Sequence, residues 1–351
     1  MHKRREQRHT PIKRSLISQN EYPPKRTQVR PKSQFLLTRS QHISLTVTKP
    51  SGFLAQAKFH LYTIWLFTES NIPTFVFPNT AFGILSALAG AQLLSSEAPP
   101  AIQILLRVPL VILFNWTNVF IFDLSNQRFP DSIAEDKLNK PWRPICIGRI
   151  TPNETRQLAL VSIPLVLAFN AALGVWRETA LLLILTWLYN DLRGGDELSR
   201  DFIIATAFAI YNHGSLRIAA GSTAEISTNG YLWIGVISAT ILMTMQVQDL
   251  KDMKGDSSRG RKTWPLVLGS VASRWIIAVS ILGWALLCMW FWDAGFIGVG
   301  PLGLGGYVAW RALYLKEPGQ DGTTWRLWCL WTALLYAMPA GLQLHTLNFL
   351  Y

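Results

Sequence analysis

The stretch AIQILLRVPLVILFNWTNVFIFD, residues 101–123, decides the fold of this chain. Its charged residues are Arg107 and Asp123 alone, and about 20 mostly apolar residues are enough for a helix to cross the hydrocarbon core of a bilayer. Comparable apolar stretches recur at 73–91, 156–174, 176–190, 201–220, 229–248, 272–293, 296–314 and 325–345. We therefore predict an all-α membrane protein with about nine transmembrane helices.

The composition of the chain agrees with this prediction. Of its 351 residues, 50% are hydrophobic and only 15% are charged, whereas soluble domains usually carry about 25% charged residues. The net charge of +12 could suggest a nucleic-acid partner, but it is confined to one segment. Residues 1–50 contain twelve Lys and Arg against two Glu, so the rest of the chain is nearly neutral. No nucleic-acid partner is indicated.

The basic segment is rich in Pro, Ser, Gln and Arg and has no sustained apolar pattern. We interpret residues 1–60 as a disordered basic tail in the cytosol, near anionic lipid. A mitochondrial transit peptide is the alternative, since such peptides are also rich in Arg and Ser and poor in acids. We accordingly predict an integral membrane protein of the endoplasmic reticulum, with the mitochondrial inner membrane as the alternative.

The distribution of Lys and Arg among the loops predicts the orientation of the chain. If the tail is cytosolic, the loops 124–155, 191–200, 249–271 and 315–324 are cytosolic too, and they contain thirteen Lys and Arg. The loops predicted on the opposite side contain one, Arg177. Basic residues gather in cytosolic loops of membrane proteins, so this bias supports the orientation.

Two of the cytosolic loops carry clustered acids. In the first, Asp131 and Glu135 are four residues apart and would share one face of a helix, with Asp136 beside them. In the second, the acids Asp249, Asp252 and Asp256 follow spacings of three and four. The loops come after the second and sixth predicted helices, so they can converge on one face of the bundle.

Carboxylates that share a face repel one another and need a compensating cation. Mg²⁺ takes oxygen ligands and is often held by one or two carboxylates together with phosphate oxygens of a substrate. Two acidic stripes facing each other would bind Mg²⁺ and a diphosphate between them, and the Lys and Arg residues in the same loops would neutralise the remaining phosphate charge. Taken singly, either cluster could be an ordinary loop of mixed charge.

The two clusters also resemble known motifs. The run from Asp136 to Pro144 resembles D-x-x-N-K-P-x-R-P, and the run from Asp249 to Asp256 resembles D-x-x-D-x-x-G-D. These are acidic motifs of the UbiA superfamily of intramembrane prenyltransferases and terpene cyclases. The resemblance implies a catalytic domain at residues 70–347, with helices around a central cavity that opens toward the loops. It further implies Mg²⁺ as cofactor and a prenyl diphosphate as substrate.

The resemblance also implies roles for individual residues. The metal-binding residues would be Asn126, Asp131, Glu135, Asp136, Asp249, Asp252 and Asp256. The catalytic residues among them would be Asp131, Asp136, Asp252 and Asp256. The residues that grip the diphosphate would be Lys140, Arg143, Arg259 and Lys262.

Two departures from the family pattern bear on the reaction. The span between Asn126-Gln127 and Asp136 is two residues longer than usual and contains Pro130, which tends to kink a helix. The loop after the fourth helix replaces a Y-x-x-x-K-R-like stretch with residues 189–197, YNDLRGGDE. Both departures are similar to the fungal branch of terpene cyclases. We therefore expect cyclisation to a sesquiterpene or diterpene; transfer of the prenyl group to an aromatic or polyketide acceptor is the alternative.

A third possibility is a transporter or lipid-binding scaffold without chemistry, which two intact acidic motifs argue against. The 15 Trp residues could line a chamber for a carbocation, although Trp also gathers at membrane interfaces. Asp196 lies in a loop without a matching acidic stripe, so we expect it to matter less than the other acids. We expect the lipid bilayer and the prenyl diphosphate as partners, and no obligate protein partner.

Overall fold

The computed structural model describes residues 50–221 and 223–348. This part of the chain is almost entirely helical, and its one isolated β-bridge joins Leu94 and Ile226. The helices are α1 Phe53–Thr68, α2 Phe77–Leu88, α3 Ala101–Leu106, α4 Val108–Gln127, α5 Pro130–Asn139, α6 Pro152–Ala172, α7 Trp176–Asn190, α8 Arg200–Ala220, α9 Thr228–Thr244, α10 Asp249–Arg259, α11 Trp264–Val267, α12 Ser270–Trp292, α13 Val299–Tyr314 and α14 Pro318–Asn348. The all-α prediction is confirmed for the described residues.

Within the described residues, five helical segments are long and apolar enough to cross a bilayer. They are Ala101–Gln127, Pro152–Ala172, Thr228–Arg259, Ser270–Trp292 and Pro318–Leu344. The other helices that coincide with predicted spans, α2, α7, α8 and α13, are shorter or carry more charge. The structure therefore supports a membrane protein, and the count of nine spans stays a prediction.

Helix α1 was missed by the sequence analysis, which assigned residues up to 60 to the tail. Its inner face is buried at Phe59, and its outer face exposes Trp65. Arg149, in the loop between α5 and α6, fixes this helix to that loop: its guanidinium lies 4.0 Å from the centroid of the Phe59 ring and donates to the Phe59 carbonyl at 2.9 Å. Residues 53–60 are thus helical, while the rest of the predicted tail, up to residue 49, lies outside the described residues.

Pro130 ends one helix and starts the next instead of kinking a continuous helix. The residue before it, Phe129, is extended, with φ −79° and ψ 144°, and Pro130 occupies the first turn of α5, where its missing N–H costs nothing. As a result Asn126, at the end of α4, and Asp131, at the start of α5, lie on different helices. The break between α4 and α5 therefore sets where Asn126 and Asp131 lie relative to each other.

Helices α2, α4 and α8 pack closely around buried polar side chains. Asn115 on α4 donates hydrogen bonds to Thr80 Oγ1 on α2 at 3.1 Å and to Ser215 Oγ on α8 at 2.9 Å. Gly83 permits this approach, because a Cβ atom there would lie 2.6 Å from the backbone of Ser215. Small residues and interhelical hydrogen bonds hold helices together in bilayers. The packing fixes α4 and α8, whose ends carry polar residues of the cavity described below.

A buried ion pair joins α12 to α14. Arg274 donates to both carboxylate oxygens of Asp321, at 2.8 and 2.6 Å, and to the carbonyl of Ala312 at 2.8 Å. Both charged side chains are at least 95% buried. Removing one member would leave the other charge buried without a partner.

We predict that Arg274→Met lowers the free energy of unfolding by about 3–5 kcal/mol, the usual cost of breaking a buried pair on one side. The measurement is the midpoint of thermal unfolding in detergent. Arg156→Met on α6 is the matched control, because Arg156 is exposed and interacts with Asn153 on its own helix; we expect a change within about 0.5 kcal/mol. Equal effects of the two substitutions would contradict the assigned role of the pair.

Candidate active site

A cavity with about 990 Å³ of empty space, part of it open to solvent, lies between α4, α5, α7, α8 and α10. Its polar lining comes mainly from helix ends and loops: Asn71, Asn126, Glu135, Lys140, Arg143, Thr186, Arg200, Gln248, Asp249, Asp252, Asp256 and Arg261. Its apolar and aromatic lining comes mainly from helix interiors: Phe75, Val119, Phe122, Leu182, Leu185, Tyr189, Ile203, Ile204, Ala207 and Tyr211. This combination suits a ligand with a charged head and an apolar body.

The two acidic loops meet at this cavity because α5 packs against α10. Gly255 on α10 faces Asn139 at the end of α5, and a Cβ atom on Gly255 would lie only 2.1 Å from Asn139 Nδ2. The same nitrogen donates to the backbone carbonyl of Asp252 at 3.4 Å. The glycine of the second motif and the asparagine of the first thus form one contact that brings the two helices together.

The acids of α10 share one face, as their spacing predicts: Asp249, Asp252 and Asp256 all line the cavity. Asp249 is nearly inaccessible to solvent and accepts two hydrogen bonds from Arg200, at 2.8 and 2.7 Å. Asp252 is paired with the neighbouring Lys251. Each of these acids therefore has a cationic neighbour in the structure.

Arg261 connects the two acidic clusters. Its Nη1 atom lies 3.0 Å from Glu135 Oε1 on α5 and 3.1 Å from Asp256 Oδ1 on α10. The other oxygen of Asp256, Oδ2, is buried and has no hydrogen-bond partner. One buried guanidinium thus spans the cavity wall and leaves a carboxylate oxygen available to a further ligand.

The first cluster is arranged differently from the prediction. Of its three acids, Glu135 lines the cavity, whereas Asp136 does not. Asp136 is buried and accepts two hydrogen bonds from Arg143 Nη1, at 2.8 and 2.9 Å. Arg143 itself lines the cavity, so the geometry makes Asp136 the residue that orients Arg143.

Asp131 lies outside the cavity, contrary to its predicted place beside Glu135. Its side chain is 54% exposed and forms an ion pair with Arg193 at 3.0 Å. The reason is the break at Pro130, which puts Asp131 in the exposed first turn of α5. Asn126 does line the cavity, and its Nδ2 donates to Asn190 Oδ1 on α7 at 2.8 Å.

The four predicted diphosphate-binding residues divide into two groups. Lys140 and Arg143 line the cavity. Arg259 is buried in the wall, where it donates to Ser132 Oγ at 2.7 Å and to Glu135 Oε2 at 3.1 Å. Lys262 is 58% exposed, is paired with Glu197 at 2.8 Å and does not line the cavity.

Asp196 has a larger role than its loop suggested. It is buried and lies 2.8 Å from Arg193 Nε, 2.7 Å from Arg259 Nε and 3.5 Å from Arg261 Nε. Burial acts to raise the pKa of Asp196, but the hydrogen bond from Arg193 and the charges of Arg259 and Arg261 outweigh it and lower the pKa overall. The loop after α7 is thereby connected to the arginines of the second motif.

Sequence reasoning missed two arginines of the cavity, Arg200 and Arg261. Arg261 lies between the two predicted bases Arg259 and Lys262, so its position in the motif was a usable signal. Arg200 begins α8 beside Asp201, and a charged pair at the start of an apolar helix was the corresponding signal. Its partner Asp249 is 49 residues away, which only the fold reveals.

The donor set of the cavity fits Mg²⁺. Within residues 50–221 and 223–348, no group of three or more His, Cys, Asp or Glu side chains is arranged to hold a metal ion. Mg²⁺ does not need such a cage, because it commonly binds one or two carboxylates and takes other oxygens from phosphate and water. The free Oδ2 of Asp256 and the carboxylates of Glu135, Asp249 and Asp252 on the cavity wall supply oxygens of the required kind.

Comparison with known proteins identifies the family of the chain. The family described as the UbiA prenyltransferase family matches residues 83–334, well over half of the chain. The matched segment runs from α2 into α14 and contains both acidic motifs. The resemblance predicted from the two motifs is confirmed.

Individual relatives cover most of the chain. Somaliensene A/B synthase of Streptomyces somaliensis is 28% identical in an alignment that covers 82% of this chain and 94% of that protein. Diterpene cyclase eriG of Hericium erinaceus is 29% identical over 292 residues, covering 78% and 86% of the two chains. A UbiA homologue from Archaeoglobus fulgidus, solved with GPP and Mg²⁺, has the same fold at 13% identity, with a TM-score of 0.53 over 79% of this chain and 99% of that one.

We predict that Gly255→Ala weakens binding of inorganic diphosphate in the presence of Mg²⁺ by about tenfold. The added methyl group must displace Asn139, and overpacking of this kind costs about 1–3 kcal/mol. Calorimetry on purified protein measures the affinity. Gly283→Ala on α12 is the control, since its Cβ atom would meet nothing within 4 Å. Unchanged affinity in Gly255→Ala would show that the spacing of α5 and α10 does not matter.

Asp196→Asn should destabilise the protein by about 1.5–3 kcal/mol, because it removes the charge that pairs with Arg259 and weakens the charge-assisted hydrogen bonds that Asp196 accepts from Arg193 and Arg261. Since the pKa of Asp196 is lowered by folding, its contribution is present above pH ~4 and is lost as the pH falls through the lowered pKa. Glu197→Gln, which affects only an exposed ion pair, should cost at most about 1 kcal/mol. Thermal unfolding at pH 7 compares the two; equal shifts would refute the role of Asp196.

Proposed function

This chain belongs to the UbiA prenyltransferase family, and we propose that it ionises a prenyl diphosphate and cyclises the resulting cation to a terpene. The observation that carries the proposal is a single cavity with both acidic motifs at its polar end and an apolar, aromatic interior. The relatives named as somaliensene synthase and diterpene cyclase support cyclisation as the fate of the cation.

The diphosphate would be bound at the polar end. Four cationic side chains line the cavity: Lys140, Arg143, Arg200 and Arg261. Arg200 already donates to both oxygens of Asp249, so we assign the other three to the phosphate oxygens. Arg261 takes the place of Arg259 and Lys262 in the predicted set, because those two are directed to other partners. Arg143 is held in a fixed orientation by Asp136, so little rearrangement is needed when substrate binds.

We propose that Glu135, Asp249, Asp252 and Asp256 hold Mg²⁺, together with the amide oxygen of Asn126. When bound, Mg²⁺ supplies positive charge that stabilises the departing diphosphate. The acids are paired with Arg200, Arg261 and Lys251 in the structure. These pairs hold the carboxylates in place, since an unpaired buried charge would be costly.

The reaction begins when the C–O bond of the prenyl diphosphate breaks and its electron pair leaves with the diphosphate. The allylic cation that remains is attacked by a double bond of its own chain, which closes a ring. Loss of a proton to an acceptor such as the released diphosphate then forms the final double bond. Binding the leaving group more tightly as its charge develops is what lowers the barrier.

The interior of the cavity suits a cation that must be kept from water. Phe75, Phe122, Tyr189 and Tyr211 line it, and Phe122 packs edge-to-face on Tyr189 with ring centroids 5.2 Å apart. Aromatic faces stabilise a desolvated cation by about 2 kcal/mol each.

The Trp residues of the described chain do not line this cavity, contrary to the expectation that they would surround the cation. Exposed Trp residues such as Trp290, which is 80% exposed, suit contact with the bilayer.

Transfer of the prenyl group to an aromatic or polyketide acceptor is the second candidate, since the family as a whole is described by prenyl transfer. The same ionisation site would serve it. An acceptor would have to share the cavity with the prenyl chain, whereas cyclisation needs the prenyl chain alone.

For the membrane arrangement we propose nine spans, formed by α2, α3–α4, α6, α7, α8, α9, α12, α13 and α14. The polar end of the cavity would then face the cytosol, in agreement with the Lys and Arg bias of the loops. We further propose the endoplasmic reticulum as the location and a function that requires no obligate protein partner.

The test is to incubate membranes containing the protein with C10, C15 and C20 prenyl diphosphates and Mg²⁺, without acceptor. We expect hydrocarbon products by gas chromatography, none of them with EDTA or with Asp249→Asn. Asp131→Asn is the control variant, because Asp131 lies outside the cavity, and it should retain most of the activity. Products that form only after an aromatic acceptor is added would support the transferase, and activity that survives EDTA unchanged would contradict the diphosphate site.

The pH dependence of kcat/KM should show the titration of Lys140. Burial, followed by the charge of Arg143, lowers the pKa of Lys140 to about 8. Its ammonium is charged at pH 7 and loses its proton as the pH rises through 8, so kcat/KM should fall by up to tenfold per pH unit above that value. Lys140→Arg keeps its charge and should give a flat profile between pH 7 and 9. The same fall in both proteins would assign the titration to another group.

A further inference from the structure

A second cavity lies behind the first, between α8, α9, α11 and α12. It has about 880 Å³ of empty space, part of it open to the surroundings. Its lining is mostly apolar, with three polar residues that the proposed reaction does not use: Asp201, Gln246 and Ser273. The two cavities are separated by the first turn of α8, since Arg200 lines one and Asp201 the other.

The three polar side chains are more than 90% buried, yet each has an unsatisfied atom. Asp201 Oδ2, Gln246 Oε1 and Ser273 Oγ have no hydrogen-bond partner. Gln246 and Trp264 approach the Asp201 carboxyl, and Gln246 Nε2 donates to the Leu242 carbonyl at 2.7 Å. Leaving a buried acceptor unpaired costs about 1–3 kcal/mol, so the arrangement suits a ligand that donates hydrogen bonds.

The mouth of this cavity is apolar and open. Phe202 is 65% exposed, and Met243 and Ile276 are each 44% exposed, on α8, α9 and α12 respectively. In a membrane protein these side chains face lipid chains, so a ligand would enter from the bilayer. An apolar chain could lie in the mouth while its head reached the three acceptors.

The charge of the site restricts the head group. Its only ionisable lining residue is Asp201, and no Lys or Arg lines this cavity within the described residues. Asp201 Oδ1 lies 3.5 Å from Arg200, which also binds both oxygens of Asp249, so an anionic head group such as a diphosphate would find no free cation in this cavity. We propose that the second cavity binds an amphiphile with one apolar chain and a hydroxyl or ammonium head group, such as a prenyl alcohol.

The test is photo-crosslinking of the purified protein in lipid nanodiscs. The probe is a long-chain alcohol that carries a diazirine, and the comparison probe has the same chain ending in a sulfonate. We expect the alcohol to label residues lining the second cavity, farnesol to compete with it, and the sulfonate to label about tenfold less, as the loss of one charge-assisted hydrogen bond implies. Equal labelling by both probes, or no competition by farnesol, would overturn the proposal.

A pair of variants tests the site itself. Ser273→Ile removes the hydroxyl and fills the cavity, so labelling should fall about tenfold. Ser280→Ile makes the same change on α12 at a position that does not line this cavity, and labelling should be unchanged. Ser273 is chosen because Asp201 is adjacent to Arg200. Unchanged labelling in Ser273→Ile would overturn the proposal, and the comparison of the two probes on the unaltered protein remains decisive if that variant does not fold.

Discussion

The contact between Gly255 and Asn139 is the constraint on which the site depends. Each acidic cluster alone is a run of like charges at the end of a helix, and neither can bind a diphosphate from two sides. Because Gly255 has no side chain, α5 approaches α10 closely enough for Asn139 to donate to the Asp252 carbonyl. The approach puts Glu135 and Asp256 within reach of a single guanidinium, that of Arg261. The glycine and asparagine of the two motifs are therefore structural residues that align the acids beside them.

Charge balance explains the rest of the wall. A buried carboxylate without a partner is costly, and here Asp136 is paired with Arg143, Asp249 with Arg200, and Asp256 with Arg261. Some of these cations also line the cavity, so the groups that stabilise the acids before substrate arrives can bind phosphate oxygens afterwards. In the resting protein the acids and arginines of the cavity wall balance one another, and a metal-bound diphosphate would add its positive metal next to the acids and its negative phosphates next to the arginines.

Much of this arrangement could be predicted from local sequence. The spacing of Asp249, Asp252 and Asp256 placed them on one face of a helix, and the structure has all three in the cavity. Asp131 was misplaced because the i to i+4 rule assumes a helix face that is buried along its length, whereas Pro130 starts α5 at an exposed turn. The partner of Asp136, Arg143, is only seven residues along the chain, but spacing does not tell whether an acid meets a metal or a neighbouring arginine. The roles of Asp196 and Arg200 rest on distant residues that only folding brings near, such as Asp249 for Arg200. The spacing of residues along the sequence predicts which side chains share a face of a helix, but it does not predict which helix faces pack against each other.

The claim that the two acidic helices form one site is tested most directly by a double-mutant cycle across the cavity. Glu135→Gln on α5 and Asp252→Asn on α10 remove one charge each while keeping size and polarity. If both helices hold the same diphosphate, each single variant should lose roughly 10²-fold in kcat/KM, and the double variant little more, because residues that act as a unit are strongly non-additive. If the two losses instead multiply to about 10⁴-fold, the helices act independently and the shared site is contradicted.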